Sequence, residues 1–237
     1  MAATDVLVKD MRIIAKFSKG KEVRFTSHLD VQRLFQRAFR RAQIPVAYSE
    51  GFNPHSIVSF ATALSLGYTS DSEWFDVKLT KHMNPAEFMN RMNETLPKGF
   101  AVTEAYDAPE KLPSLTSLMY AARYIVMMRT DDADVFKTLS SSMEEYLGDS
   151  INVIKRTKGG DKEIDIRPMI YSMRVISVAE NTALIEVIGQ LNVSGGLNME
   201  LLLKSFEEKW GCNAVTDVHR CAIYSEHGVV LPKFKQQ

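Results

Sequence analysis

Cysteine is scarce: Cys212 and Cys221 are the only two among 237 residues. Two thiols cannot staple a disulfide scaffold, and a separation of nine residues fits none of the short metal-ligand spacings. A reduced compartment and no metal on this chain are therefore expected. No apolar run approaches the ~20 residues that span a bilayer, and residues 1–10 lack the basic start and apolar core of a signal peptide. The expectation is a cytoplasmic protein with no membrane segment. Also absent are the CxxxCxxC, HExxH, GxSxG and GxGxxG patterns, which removes the common routes to radical, zinc-hydrolase, serine-hydrolase and dinucleotide chemistry on this chain. His82, His219 and His227 show no ligand spacing.

Net charge is absent too. The 29 basic and 29 acidic residues cancel, so the overall balance says nothing about a polyanionic partner. Distribution says more. From Arg12 to Phe60 there are nine basic residues, at 12, 16, 19, 21, 24, 33, 37, 40 and 41, against three acidic ones, Glu22, Asp30 and Glu50. At 45% apolar and 24% charged residues the composition is that of a folded globular chain, and 237 residues allow one large domain or two smaller ones.

The pattern of apolar residues predicts α+β architecture in two tandem modules, residues 1–110 and 118–237. In the first, residues 12–18 read as a strand. Ser27 and Asp30 then open a helix that Pro45 forbids from continuing. Residues 57–63 and 74–79 suggest a strand hairpin, Pro85 opens a second helix to about residue 96, and 100–106 closes the module. The order β-α-β-β-α-β is that of a ferredoxin-like module. After a proline-containing stretch at 107–117 the order recurs: strand 120–129, helix 131–147, strands 151–156, 169–178 and 183–190, helix 198–210 and strand 214–224, with an extra basic arm.

Three places carry candidate chemistry. The apolar stripe Val31, Leu34, Phe35, Ala38, Phe39 and Ala42 turns Arg33, Arg37, Arg40 and Arg41 to the opposite side of the first helix. Guanidinium groups there suit phosphate, because each can make paired hydrogen bonds to two oxygens. The bland alternative is a solvated charged face. The loop Tyr48-Ser49-Glu50-Gly51-Phe52-Asn53-Pro54-His55 has a glycine free to take positive φ and an asparagine held extended by Pro54, and it presents His55, Glu50 and Tyr48, unless it is a plain turn with Phe52 tucked in. His28, at the start of the first helix, could pair with His55 as an acid/base couple, and the helix dipole would lower its proton affinity; a surface histidine is the plainer reading. A third feature, Lys155-Arg156 with Lys158 and Lys162 around Gly159-Gly160, has the look of a hairpin arm that grips a nucleic-acid backbone, diluted by Asp161, Glu163 and Asp165. Gly195-Gly196 could bare N–H groups to an anion but lacks the lysine and hydroxyl of a P-loop.

Arg24-Phe25-Thr26-Ser27-His28-Leu29-Asp30, Arg40-Arg41-Ala42, Tyr48 to His55, Ser59-Phe60, Leu64-Ser65-Leu66-Gly67 and Lys162-Glu163-Ile164-Asp165-Ile166-Arg167-Pro168 together resemble the radical-SAM-linked protein family. That is a bacterial domain fused to, or encoded beside, B12-binding radical SAM proteins. The likeness covers most of the chain and departs at Ser56-Ile57, where a proline and a basic residue often follow the histidine. It implies a radical SAM partner that carries an iron–sulfur cluster, S-adenosylmethionine and a cobalamin, with no cofactor on this chain.

The expected role is thus a non-catalytic accessory or substrate-recognition subunit that binds RNA, such as tRNA or rRNA. Its contact residues would be the four arginines, Ser49, Glu50, Phe52, Asn53, His55 and the basic arm. Two alternatives stand beside it. One is a metal-independent RNA endonuclease like the tandem-ferredoxin CRISPR processing proteins, with His28 or His55 as acid/base and Tyr48 assisting, although residues 225–230 only faintly echo the glycine-rich loop of that class. The other is a small-molecule pocket built by the Tyr48–His55 loop against the first helix.

Overall fold

The computed structural model describes residues 11–108, 111–131, 134–137, 139–211, 213–228 and 231–233. Residues 1–10, Cys212 and residues 229–230 lie outside this description, and so do the leader reading, half of the cysteine pair and part of the 225–230 segment. The fold is α+β, with six helices and mostly antiparallel strands among the described residues, and the chain divides into two compact units at Leu118 and Met119. No helix among the described residues is long and apolar enough to cross a membrane.

Unit 1 comprises β1 (Met11–Lys19), α1 (His28–Arg41), β2 (Val58–Phe60), β3 (Thr69–Leu79), α2 (Pro85–Thr95), β4 (Phe100–Asp107) and the short α3 (Leu115–Leu118). β1 lies between β3 and β4, and β2 pairs with the far side of β3, all antiparallel, which gives the order β4-β1-β3-β2. The helices cover one face. Val31, Phe35, Ala38 and Phe39 of α1 and Phe88 and Met92 of α2 are buried against Phe17, Phe75, Val77 and Phe100. Phe35 is the hub, with ring centroids 4.8 Å from Phe17, 5.3 Å from Phe75 and 5.5 Å from Phe60.

α1 begins where the sequence predicts. The Ser27 hydroxyl accepts the Asp30 N–H at 3.2 Å and donates to the Asp30 carboxylate at 2.7 Å, which satisfies one orphan donor of the first turn. Ser27→Ala should cost about 1 kcal/mol, seen as a lower urea midpoint at unchanged slope; an unmoved midpoint would mean the cap contributes nothing.

Unit 2 comprises β5 (Met119–Arg129), α4 (Asp134–Lys137), α5 (Leu139–Gly148), β6 (Asn152–Thr157), β7 (Gly160–Asp165), β8 (Ile170–Ala179), β9 (Thr182–Asn192), β10 (Gly195–Gly196), α6 (Met199–Trp210) and β11 (Val215–Ser225). Its four long strands run in the order β11-β5-β9-β8, again antiparallel, while β6 and β7 form a separate hairpin between α5 and β8. Phe206 packs on Trp210 at 4.0 Å, and the Tyr146 ring lies 5.1 Å from that indole.

Two strand boundaries differ from expectation. β2 is only Val58–Phe60 where residues 57–63 were expected, and β3 starts at Thr69, five residues before the expected Trp74. Ser70, Asp71 and Ser72 carry no apolar signal, yet Ser70 pairs with Lys19, so tertiary pairing overrides local propensity here. The helix expected over residues 131–147 is described as α4 and α5, with residue 138 outside the description.

Candidate functional site

The amphipathic pattern of α1 fixes the direction of its arginines. With the apolar stripe on the sheet, Arg33, Arg37, Arg40 and Arg41 are all exposed. One acidic residue reaches this face: Asp30 accepts from Arg33 at 3.3 Å, an exposed pair within the helix. Such pairs contribute little, so Arg33 is not lost to a partner. Arg41 donates to the Thr95 carbonyl at the end of α2 at 2.8 Å, and Arg37 and Arg40 have no hydrogen bond to a described residue.

The loop after α1 is built as a clasped tip. Val46 bridges Leu79 and Tyr48 bridges Ser56, which ties the loop base to β3. Ser49 and His55 then grip each other: the Ser49 N–H donates to the His55 carbonyl at 2.9 Å, the His55 N–H donates to Ser49 Oγ at 3.1 Å, and Oγ lies 2.9 Å from His55 Nδ1. With Oγ already accepting, its own proton can go to Nδ1, which places the ring proton on Nε2. Gly51 at φ 116° makes the turn. Phe52 is not tucked in but is fully exposed, at 108% relative accessibility, and Glu50, Asn53 and Tyr48 are exposed around it.

In unit 2 the basic arm is the β6–β7 hairpin, with Lys155 opposite Lys162 and Arg156 opposite Asp161, and all four, with Lys158, are exposed. Like charges directly opposite repel, so the free hairpin carries an electrostatic cost that an anion between the two lysines would relieve. The Asp165-Ile166-Arg167 part of the arm has a structural role. The Asp165 carboxylate accepts the Ile151 and Arg167 N–H groups at 2.9 Å each, and Arg167 donates to the Leu147 and Ile170 carbonyls, which anchors the hairpin base.

His28 and His55 are not brought together. His28 meets the Phe60 ring edge-on at 5.8 Å, and residues 56–60 run extended along β3, so His55 lies about 16 Å further along the chain. A small cavity of about 20 Å³ opens at the other end of α1 from the loop, lined by His28 together with Lys19 and Glu73, two residues that sequence reasoning missed. Lys19 and Glu73 are 2% and 3% exposed. Lys19 Nζ donates to the Arg24 and Thr26 carbonyls at 3.0 and 2.9 Å, and so organises the Arg24–His28 turn. Burial pushes its ammonium below the usual lysine range, and the Glu73 carboxylate opposes that. Burial, rather than the helix end, also holds the His28 imidazole below its ordinary value; Glu73 raises it and Lys19 lowers it. His28 Nε2 sits 3.0 Å from the Gln32 side-chain nitrogen, which suits a neutral ring accepting there.

The remaining candidates are placed elsewhere. Gly195 and Gly196 pair with Asn192 and Leu191 as strand, and Asn198 caps α6, so they form no anion cradle. Among the described residues no group of three or more His, Cys, Asp or Glu could hold a metal ion.

Comparison with known proteins returns a family model described as an uncharacterized protein conserved in bacteria (DUF2344), which matches residues 12–199. No curated protein matches. Among solved structures, similar chains occur in a Cbf5-Nop10-Gar1 complex (TM-score 0.45, 10% identity, 94% of this chain and 51% of that one) and in an H/ACA RNP bound to a substrate RNA containing 2'-deoxyuridine (TM-score 0.44, 8% identity, 92% and 49%). This chain thus spans about half the length of those it matches. At such scores the likeness carries no functional conclusion.

Proposed function

The chain belongs to that bacterial family, and we propose that it is a non-catalytic recognition subunit that binds RNA on behalf of a partner enzyme. The observation that carries this reading is the arginine face of α1: four exposed guanidinium groups whose single carboxylate partner among the described residues is Asp30 of the same helix. The four arginines face outward over roughly two and a half turns of 5.4 Å each, a spacing that lets a phosphate chain follow the helix axis. Arg40 and Arg41 end α1 only seven residues before Tyr48, so the loop leaves from the same end of the helix, and the bare Phe52 ring there offers a stacking platform for a base. The Lys155 and Lys162 hairpin adds a second cationic element in unit 2.

The strand orders β4-β1-β3-β2 and β11-β5-β9-β8 support reading each unit as a ferredoxin-like module, a scaffold that hosts many functions and names none. The Ser27–Asp30 and Ser49–His55 words support a B12-binding radical SAM protein as the partner, which would bring its own cluster, S-adenosylmethionine and cobalamin. tRNA and rRNA are the RNA classes proposed.

Fluorescence anisotropy with labelled tRNA and rRNA fragments tests the RNA part. Affinity should fall steeply and linearly on a log–log salt plot, and Arg37→Glu/Arg40→Glu should weaken binding about tenfold or more and flatten the slope by about one for each phosphate no longer neutralised. Salt-independent binding, or a double variant that binds like the parent, would remove RNA from the proposal. Anaerobic co-expression with a B12-binding radical SAM protein from the same genome tests the partner, and failure of the two chains to co-purify would count against it.

A further inference from the structure

Phe52 is exposed at 108% of its reference area, so both faces of its ring are bare. A single exposed apolar side chain calls for no explanation, since folded surfaces carry many. This one differs in how it is held. The Ser49–His55 clasp, with its three contacts of 2.9 to 3.1 Å, and the Tyr48–Ser56 bridge close the loop beneath it. Gly51 turns the chain at φ 116°, and Pro54 restricts Asn53 to extended backbone. Every residue from Glu50 to His55 is exposed, and a side chain built at Gly51 would meet nothing within 4 Å. The ring therefore stands on a convex tip with no second wall beside it.

That shape decides what the ring can do. A base held in a pocket stacks on one aromatic face while the protein covers its other side, and here there is no such cover. Both faces of Phe52 become buried only when a partner supplies two flat surfaces with a gap between them. Two neighbouring bases of one strand are such surfaces, about 3.4 Å apart until a ring separates them. A-form RNA admits a convex tip from its wide, shallow minor groove, whereas its major groove is too deep and narrow. Insertion breaks one base–base contact and forms two base–aromatic ones, and the clasp keeps the ordering cost of the tip low. An apolar pocket on a protein is the rival receiver of a bare ring. The surroundings favour RNA: from Arg37 to Phe52 the chain carries three exposed arginines and one carboxylate, Glu50.

We propose that Phe52 is a wedge that enters the RNA held by α1 between two stacked bases and displaces one of them; the proposal rests on the RNA reading above. Its substrate class is helical RNA with a step weakened by a bulge, mismatch or loop, where unstacking costs least. Glu50 and Asn53 flank the ring, exposed and without a hydrogen bond to a described residue, so their polar groups are open to the edge of a base that has lost its pairing partner. An enzyme that modifies a base needs it out of the stack, so a subunit that opens the step prepares the substrate.

Hairpin RNAs with a bulge or a mismatch, each carrying 2-aminopurine at one position, test this, because stacking on neighbouring bases dims that analogue. With the full chain at saturation, one position should brighten about threefold or more. Phe52→Ala should lose the rise and Phe52→Leu, another apolar wedge, should keep part of it. Both should melt with the parent, because a fully exposed ring supports no packing. Arg37→Glu/Arg40→Glu should keep the rise but need about tenfold more protein to reach it. Bound RNA in which no position brightens, or an equal rise with Phe52→Ala, would overturn the wedge, and arginine-dependent, salt-sensitive binding in either case would leave the RNA reading standing. Absence of binding to every such RNA would strike both. An equal rise with Phe52→Ala, together with lost co-purification of the partner enzyme, would assign the ring to a protein contact instead.

Discussion

Glu73→Ala is expected to destabilise unit 1 by about 3–5 kcal/mol, because it strands the Lys19 ammonium in a site where only 2% of that residue meets water. The two carbonyl contacts of Lys19, from Arg24 and Thr26, do not replace a counter-charge. Lys19→Met in the same chain should restore at least half of the loss, since a buried pair exchanged for apolar groups of similar volume is close to neutral. His28 reports the same change independently. Glu73 raises its pKa and Lys19 lowers it, so the single variant should titrate at still lower pH than the parent, and the double variant between them. Urea unfolding and histidine NMR titration read the two effects; a single variant as stable as the parent, or a double variant worse than the single, would dissolve the pair.

Phe35→Ala should cost a similar ~3–5 kcal/mol for a different reason, the cavity left where no part of the side chain is exposed. Five other phenylalanine rings lie within 6.3 Å of its centroid, and none can collapse inward without leaving the sheet or α1. Trp74 belongs to unit 1 and Trp210 to unit 2, so a Trp210→Phe background lets fluorescence follow unit 1 alone, without assuming that the whole chain unfolds in one step. A loss below about 1 kcal/mol would mean that the aromatic cluster repacks freely.

Much of unit 1 is legible along the chain because its signals are local. Ser27 and Asp30 start α1, Pro45 follows its end, and the Val31–Phe35–Ala38–Phe39 spacing tells which side is buried and therefore which way the arginines face. The start of β3 is hidden because Ser70, Asp71 and Ser72 read as a turn, and it takes sheet pairing, such as that of Ser70 with Lys19 of β1, to make them strand. The pocket is hidden for the same reason. Lys19 and Glu73 are ordinary charged residues at ordinary strand positions, 54 apart in sequence, and nothing local marks either as buried; the antiparallel register that sets Phe17 opposite Glu73 brings them to one end of the core. The opposite error also occurs. Asp165 and Arg167 stand out as part of a specific word, and their side chains turn out to hold backbone groups at the base of a hairpin.

The Ser49–His55 clasp has one further consequence. It closes the tip at its own base, so residues 50–54 hang from a fixed frame and pass no strain to β3 or α1. A tip mounted this way is interchangeable: its side chains can be swapped, or a residue inserted, while the scaffold stays as it is. Variation in what the tip contacts is thereby uncoupled from variation in whether the protein folds, provided that the serine and the histidine at its two ends are kept.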